Sequence, residues 1–323
     1  MTDISIIIVN YRGWQRLTQC LDSLKAISSN LYSFEVLIVD NRSQDGLLES
    51  FITSYPEFTF ISNTGNLGFA SGCNLGARHS SGSYLLFLNP DTIIAESALH
   101  GLLQEVRSRN QFSIVSCNQI REDGSQEKPF GSFPSIFTLT GWMRAISRVL
   151  SAQKIPFTET NEYVFPDWIS GSVVMISKKT FYALNGWDED FWMYFEDVDL
   201  CRRARLKGGE VVLMKSICIE HNHGGASRIN QNIKALTKTE VNISRHVYIS
   251  KHDLGIRASL MHIILIINSL LFGFIPAIAG IVFFFVKSLR TLSRIYIRLL
   301  QYYAIALRRG TWISKRSVNF PER

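Results

Sequence analysis

Residues 84–92 read YLLFLNPDT, and this stretch decides how the rest of the chain is interpreted. Its first five residues are apolar or aromatic, which is typical of a short strand buried on both faces of a parallel sheet. Pro90 has no N–H and disfavours helix at Asn89, so the strand ends there. Asp91 then projects from the carboxyl end of the strand, the edge at which open α/β sheets bind ligands. In isolation, Asn-Pro-Asp is more often a plain turn, but the neighbouring segments favour a ligand site.

Two apolar runs nearer the amino terminus form a predicted β-α-β unit. Residues 4–9 are a β-branched run that leads into Tyr11, residues 17–24 have apolar side chains at helical spacing, and residues 34–39 are a second apolar run that ends at Asp40. A carboxylate in that place can accept hydrogen bonds from a nucleobase or a ribose hydroxyl. It can equally cap the following helix, and the two interpretations stay open.

A glycine-rich segment follows the third predicted strand, at residues 58–61. Residues 63–76 read NTGNLGFASGCNLG, and glycines at the start of a helix allow a backbone to approach a ligand closely. The segment lacks the Lys-Ser/Thr of a phosphate-binding Walker loop, and its spacing departs from the dinucleotide fingerprint. Kinase and dehydrogenase functions are therefore disfavoured.

The densest group of acidic residues lies after a strand predicted over residues 168–176. Residues 188–199 read DEDFWMYFEDVD, with six acids among four large aromatic residues. Such apolar surroundings raise the pKa of a carboxyl group and make it a useful base near neutral pH. A helix amino terminus, whose dipole favours acids, accounts for some of them instead. The loop at 220–225, EHNHGG, places two histidines beside glycines as candidate metal or phosphate contacts.

The carboxyl-terminal part of the chain differs in composition from the rest. Residues 251–323 carry 11 Lys/Arg against two acids, and residues 258–286 contain no charged side chain. We predict an α/β domain over residues 1–250 and an apolar, basic, helical membrane-association region over 251–323. The arginines adjoin an apolar run rather than interleaved stacking aromatics, which argues against nucleic acid. The five scattered cysteines indicate reduced, mostly buried thiols.

A single crossing by residues 258–286 would place the following basic residues on the side opposite the predicted cytosolic α/β domain, against the positive-inside tendency. Gly273 and Pro276 divide the run into two pieces that are too short to cross. We therefore predict a re-entrant or in-plane hairpin with its break there, followed by an amphipathic helix over 287–309. That helix is expected to place the side chains of Leu292, Ile295, Leu299, Tyr302 and Tyr303 in the bilayer interface. An ordinary crossing and a soluble helical pair are the alternatives.

Taken together, these segments resemble the inverting glycosyltransferases of family 2, and within them the rhamnosyltransferase-like branch of bacterial surface polysaccharide synthesis. The resemblance spans residues 3–228. It rests on residues 6–11 (IIIVNY), 39–46 (VDNRSQDG), 66–76 (NLGFASGCNLG), 89–91 (NPD), Gly171 and 194–200 (YFEDVDL).

The resemblance implies a GT-A fold, which is a Rossmann-like mixed sheet flanked by helices, with a bound nucleotide sugar and a divalent metal, Mg²⁺ or Mn²⁺. It implies nucleotide-sugar contacts from Tyr11, Asp40, Asn66, Asn89 and Asp91. Asp91 would bind the metal together with His221 or His223, of which we favour His221 because it lies nearer the predicted strand end. The usual Asp-x-Asp signature is Asn-Pro-Asp here, which leaves one charged ligand fewer.

The resemblance also implies a general base, for which Asp197 is the first candidate and Glu196 the second. Acceptor-side residues would be Gly171, Trp187, Asp188 and Asp199, the last being structural or acceptor-orienting. The implied reaction transfers L-rhamnose from dTDP-L-rhamnose to a lipid-linked saccharide in O-antigen or other surface polysaccharide synthesis, at the cytoplasmic face of the bacterial inner membrane. The alternatives are another donor, such as a UDP-hexose or UDP-galactofuranose, and a non-catalytic membrane-tethered binding protein.

Overall fold

A computed structural model describes residues 2–109, 113–150, 157–222 and 230–321. Backbone packing divides the chain into two compact units. The first comprises the described residues within 1–133, 156–188 and 196–226, and the second those within 134–155, 189–195 and 227–323. The second unit therefore begins earlier in the chain than the predicted boundary at residue 250, because it includes a helix that precedes that boundary.

The first unit is built on a mixed sheet. The strands are β1 (Ile4–Asn10), β2 (Phe34–Asp40), β3 (Thr59–Ser62), β4 (Tyr84–Leu88), β5 (Thr92–Ile93), β6 (Ile114–Ile120), β7 (Phe130–Gly131), β8 (Thr158–Glu159), β9 (Tyr163–Phe165), β10 (Trp168–Ile169), β11 (Val173–Ser177) and β12 (Val211–His221). The main sheet has the order β3-β2-β1-β4-β11-β6-β12-β9-β8, with β5 paired to β12, and β7 pairs with β10 separately.

Strand β4 lies where the parallel and antiparallel parts of this sheet meet. It runs parallel to β1 and antiparallel to β11, with Leu88 opposite Val173. The strand predicted over residues 168–176 is interrupted at 170–172, so the start of β11 and the turn before it lie at the carboxyl end of β4. Residues 170–172 are thereby brought beside the Asn-Pro-Asp segment.

The helices are α1 (Trp14–Lys25), α2 (Leu48–Ser54), α3 (Phe69–His79), α4 (Glu96–Ser108), α5 (Gly141–Leu150), α6 (Lys178–Ala183), α7 (Glu196–Leu206), α8 (Gln231–His252), α9 (Gly255–Val282) and α10 (Lys287–Arg309). Helix α3 packs closely on β1, because a methyl group at Gly76 would lie 2.5 Å from Ile7 Cγ2 and one at Gly72 2.8 Å from Val9 Cγ1. These two glycines of the predicted ligand loop therefore serve helix-to-strand packing. Four of the five free cysteines are buried and Cys218 is exposed, as predicted.

The expected break at Gly273 and Pro276 was wrong, since α9 runs through both residues without interruption. Close packing against α10 supports this part of α9. Gly280 approaches α10 so closely that a methyl group there would lie 2.1 Å from the carbonyl oxygen of Leu289, and the Ser293 hydroxyl of α10 donates to the Ala277 carbonyl at 2.7 Å. The predicted hairpin within residues 258–286 is therefore not formed, and α9 instead makes a helical hairpin with α10, whose turn lies at residues 283–286.

Helix α9 presents an apolar stripe at helical spacing. The exposed members of this stripe are Ile256, Leu260, Ile263, Ile267, Leu271, Phe274, Ile278 and Ile281. Three exposed phenylalanines, at positions 283–285, follow at the hairpin turn. The amphipathic helix predicted after the hairpin is α10, but Leu299 and Tyr302 are buried within the unit rather than facing outward. Tyr303 is turned inward as well, because its hydroxyl lies 3.0 Å from His246 Nε2.

Candidate active site

The carboxyl ends of β1 and β2 carry the first group of predicted site residues. Asn10 and Asp40 stand opposite each other in the parallel register. The Asp40 carboxylate is buried and accepts hydrogen bonds from the Ser43 hydroxyl and from the Ser43 N–H at 3.0 Å. It does not cap α2, whose N-cap residue Leu47 has no side-chain cap, so the capping alternative was wrong. Asp40 instead closes the turn after β2 and retains acceptor capacity for a ligand hydroxyl.

A pair of buried asparagines, Asn41 and Asn63, ties three loops together at this edge. Asn41 Nδ2 donates to the Gly68 carbonyl at 2.8 Å, and Asn63 Nδ2 donates to Asn41 Oδ1 at 2.9 Å. Gly68 stands at the start of α3 with φ of 93°, a conformation that favours glycine. The loop that carries half-buried Asn66 is thus held beside the ends of β2 and β3. Asn63 has no local sequence signal, since its role depends on a partner 22 residues away.

Asp91 and His221 are brought together by a two-residue antiparallel ladder. Strand β5, which starts directly after Asp91, pairs with the end of β12, so that Thr92 faces His221. The Asn222 N–H donates to the Asp91 carbonyl at 2.7 Å. As a result, His221 Nε2 lies 3.2 Å from Asp91 Oδ1. His223 lies outside the described residues.

The other ring nitrogen of His221 meets a carboxylate that sequence reasoning missed. Nδ1 lies 3.2 Å from Glu127 Oε2, and Arg121 Nε donates to Glu127 Oε1 at 2.7 Å. With a proton on Nδ1 shared with Glu127, the lone pair of Nε2 would be available to a cation beside Asp91. Glu127 follows the turn at 121–125, within a segment where the sequence indicates no chemistry.

This arrangement fits a divalent cation. A carboxylate oxygen and an imidazole Nε2 about 3 Å apart are suitable donors for one ion, and the carboxylate behind the imidazole is the usual support for a metal-binding histidine. The described residues hold no group of three or more acidic, histidine or cysteine side chains arranged for a metal. A cation here would be bound by Asp91 and His221 together with ligands of other kinds, such as water or diphosphate oxygens.

Asp197 reaches the same edge from α7. Its Oδ2 accepts a hydrogen bond from the Gly171 N–H at 3.0 Å, and its Oδ1 accepts one from the Val198 N–H at 2.9 Å. Ser172 follows Gly171, and its carbonyl accepts a hydrogen bond from the Asn89 N–H at 2.9 Å. One chain of contacts therefore joins the Asp197 carboxylate to the Asn-Pro-Asp segment.

The two adjacent acids at the start of α7 differ in the contacts that stabilise their ionised forms. Burial raises the pKa of Glu196 well above its usual range, and the charges of Asp197 and Asp199 raise it further. Burial also raises the pKa of Asp197, but hydrogen bonds from Gly171 and Val198 oppose that shift. The hydrogen bonds to Asp197 thus favour it as the member of the pair that ionises first.

The predicted acceptor-side residues do not all line an open site. Trp187 is buried in the core, where its ring packs edge-on against Phe87 at 5.1 Å. Asp199 is also buried and forms an ion pair with Arg203 at 2.6 Å. Of its two predicted roles, structural and acceptor-orienting, this contact favours the structural one. Gly171 is buried as well and acts through its N–H, while Asp188 is partly exposed.

Comparison with known proteins gives the family. The profile "Glycosyl transferase family 2" matches residues 5–161, which include the strands bearing Asp40 and Asp91. The profile "N-terminal domain of galactosyltransferase" matches residues 157–224, which include Asp197 and His221. The chain carries a family 2 glycosyltransferase domain. The predicted family is thereby confirmed.

Several relatives of this glycosyltransferase are named for the sugars that they transfer. Rhamnosyltransferase WbbL of Escherichia coli K12 is 27% identical over 213 residues, covering 64% of this chain and 78% of the relative. The N-acetylglucosaminyl-diphospho-decaprenol L-rhamnosyltransferase of Mycobacterium tuberculosis is 27% identical over 242 residues, covering 69% and 77%. The low-salt glycan biosynthesis hexosyltransferase Agl10 of Haloferax volcanii is 27% identical over 230 residues, covering 69% and 68%.

Solved structures support the predicted GT-A fold of this glycosyltransferase. GalNAc-T7, solved with UDP, GalNAc and Mn²⁺, has a TM-score of 0.53 at 15% identity and matches 79% of this chain. Staphylococcus aureus TarS has a TM-score of 0.50 at 15% identity and matches the same share. The chain spans about half of the GalNAc-T7 chain, 52%, and 41% of TarS. These likenesses concern the fold of the sheet and its helices.

Proposed function

We propose that this glycosyltransferase inverts the anomeric centre while it transfers L-rhamnose from dTDP-L-rhamnose to a lipid-linked saccharide of O-antigen or other cell-surface polysaccharide synthesis. One observation carries the proposal. Asp91 and His221, a pair suited to a metal, lie at the same sheet edge as the Asp197 carboxylate. The Asn89–Ser172 hydrogen bond connects the two groups. The rhamnosyltransferase names of two relatives support the donor, and the decaprenol-linked substrate in one name supports the acceptor.

The chemistry follows from where charge develops. The acceptor hydroxyl oxygen bonds to the anomeric carbon, its proton passes to Asp197, and the bond from that carbon to the diphosphate oxygen breaks with its electron pair on the oxygen. Asp91 and His221 would hold a Mg²⁺ or Mn²⁺ ion, which would supply Lewis-acid stabilisation of the leaving diphosphate. The Gly171 N–H holds the Asp197 carboxylate in place. Tyr11, Asp40, Asn66 and Asn89 are the proposed contacts to the nucleoside and the diphosphate.

A donor comparison tests the proposed activity. The purified enzyme should release dTDP from dTDP-L-rhamnose in the presence of Mn²⁺ and a diphosphate-linked N-acetylglucosaminyl lipid, and release should fall to the hydrolysis level without the lipid. UDP-glucose and UDP-galactofuranose are the matched donors. Faster turnover of either donor would identify glucose or galactofuranose as the transferred sugar, in keeping with the hexosyltransferase relative. No turnover of any donor, together with nucleotide binding, would favour the non-catalytic alternative.

We further propose that the hairpin of α9 and α10 lies in the plane of the cytoplasmic leaflet. Within the described residues, α9 is the one helix long and apolar enough to cross a bilayer. It is, however, packed against α10 along its length, with Gly280 against Leu289 and Gly273 against Tyr296. A crossing would draw the arginines of α10 into hydrocarbon, at a cost of about 2.5–3.5 kcal/mol for each one near the centre. The apolar stripe and the three tip phenylalanines can enter the leaflet without that cost.

Cysteine labelling tests this topology. We expect a Val318→Cys variant, in which Cys218 is replaced by serine, to resist a membrane-impermeant maleimide in intact spheroplasts and to react after lysis. Unsubstituted Cys218 is exposed in the first unit and gives the matched cytoplasmic control. Labelling of position 318 in intact cells while Cys218 stays protected would establish a full crossing by α9 and end the in-plane proposal.

A further inference from the structure

The second unit contains a cavity whose lining residues have no part in the proposed transfer chemistry. The cavity has a volume of about 60 Å³ and lies between α8, α10 and the segment at 313–316. A space of this size holds a few water molecules or one small polar group. Its lining includes one acidic side chain, Glu240, and three basic ones, Arg298, Lys315 and Arg316.

Glu240 is buried in the wall of this cavity, with 3% of its surface exposed. Its Oε1 accepts a hydrogen bond from the Ser314 hydroxyl at 3.2 Å and lies 3.7 Å from Arg316 Nε. Its Oε2 is buried and makes no hydrogen bond within the described part of the chain. A buried carboxyl oxygen left in this state is costly, so a ligand that engages it would be stabilised.

Three basic side chains line this cavity, against a single carboxyl group. Arg316 is held over the Trp192 ring at 5.3 Å, so its position does not depend on Glu240 alone. The Tyr302 hydroxyl donates to the Trp312 carbonyl at 2.8 Å and is therefore already used. One carboxylate cannot neutralise three cations, and the balance of charge in the cavity favours an anion.

We propose that this cavity binds the phosphate group of a lipid. Arg298, Lys315 and Arg316 would neutralise the phosphate, and the protonated Glu240 carboxyl would donate its hydrogen to a phosphate oxygen. The lipid source follows from the packing of this unit, because α8 and α10 both pack against α9, whose apolar stripe is exposed. Basic pockets beside membrane-associated helices are suited to lipid headgroups. This site is separate from the proposed transfer chemistry and does not depend on it.

Glu240 makes the proposed binding pH-dependent. Burial raises the pKa of Glu240 to about 7, against opposing effects from Ser314 and from the three cations. Below that pH the neutral carboxyl is a hydrogen-bond donor, whereas above it the ionised form repels a phosphate. Lipid affinity is therefore expected to increase as pH falls through about 7.

The test is a calorimetric titration, which measures the affinity of the full-length protein in uncharged detergent for dihexanoyl phosphatidylglycerol. The phosphodiester of this lipid does not titrate near neutral pH. Dihexanoylglycerol is the matched lipid without phosphate. We expect the Arg298→Ala/Lys315→Ala double variant to bind at least about tenfold more weakly. The matched control, Arg294→Ala/Arg308→Ala, removes two charges of the same sign from α10 outside the cavity and should bind like the unsubstituted protein. Glu240→Gln keeps a neutral donor, so it should retain binding and lose the pH dependence.

If the two double variants lose phospholipid affinity equally, the loss reflects general surface charge, and the proposed site is overturned. Binding of dihexanoylglycerol as tight as that of the phospholipid would do the same. Inorganic phosphate provides the remaining comparison. If it binds as tightly as the lipid, and is lost in the Arg298→Ala/Lys315→Ala variant, the lipid source is overturned and the cavity belongs to a soluble phosphate compound.

Discussion

Asp197→Asn is expected to reduce sugar transfer by about 10²–10⁴-fold and to leave nucleoside diphosphate affinity unchanged. The amide keeps the size of the carboxylate but cannot take a proton from the acceptor hydroxyl. Donor binding is spared because the proposed role of Asp197 concerns the acceptor rather than the diphosphate. Steady-state kinetics gives the transfer rate, and a dTDP titration of the same preparation gives the nucleotide affinity. Lost dTDP affinity with intact turnover would remove Asp197 from the catalytic role.

Glu196→Gln is the matched control, since it makes the same change one residue earlier. Burial and two neighbouring acids raise the pKa of Glu196, which favours the neutral form of this side chain. Glutamine resembles that neutral form, and the variant should keep most of its activity. If Glu196→Gln is inactive and Asp197→Asn is active, the general base is Glu196.

The same reasoning gives the direction of a pH effect. Burial raises the pKa of Asp197, and a base must be deprotonated to act. Transfer should therefore decline on the acid side at a higher pH than an ordinary aspartate would cause, and recover as pH rises through that pKa. Asp197→Asn should abolish this acid limb in its residual activity.

Features coded by adjacent residues could be predicted from the sequence. The apolar run before Pro90 predicts both the strand β4 and the projection of Asp91 from its end, and the spacing of Leu17, Cys20, Leu21 and Leu24 predicts α1. His221 was preferred to His223 for its closeness to a strand end, and it is the last residue of β12. In each case the local pattern and the tertiary structure favour the same conformation.

Features that depend on distant contacts could not be predicted in this way. Glu127 reaches His221 across 94 residues because the turn at 121–125 folds back beside the pairing of β6 with β12. Pro276 is a local helix breaker, yet packing of α10 against Gly280 and Ala277 keeps α9 continuous. The resemblance places Trp187 on the acceptor side, but its ring fills the core beside Phe87. Tertiary packing prevails over local pattern in all three.

Asp91→Ala is expected to weaken Mn²⁺-dependent binding of dTDP by more than about 100-fold, since loss of a supporting residue alone typically weakens metal binding 10–100-fold. Binding of dTDP in excess chelator should be the same in the variant and the unsubstituted protein, because the base and ribose contacts remain. Calorimetric titrations with Mn²⁺ and with chelator separate the two contributions without any turnover. Undiminished Mn²⁺ dependence in the variant would exclude Asp91 as a ligand.

Two further substitutions give this prediction an expected order of effects. His221→Ala removes the imidazole and should weaken Mn²⁺-dependent binding less than Asp91→Ala, because a neutral ligand contributes less charge. Glu127→Gln leaves both proposed ligands in place and changes only the partner of His221 Nδ1, so its loss should be about 10–100-fold and smaller than that of Asp91→Ala. A merely structural role for Glu127 would lower thermal stability and leave Mn²⁺ affinity unchanged. An effect of Glu127→Gln on Mn²⁺ affinity that persists in the His221→Ala background would show that the carboxylate does not act through the imidazole.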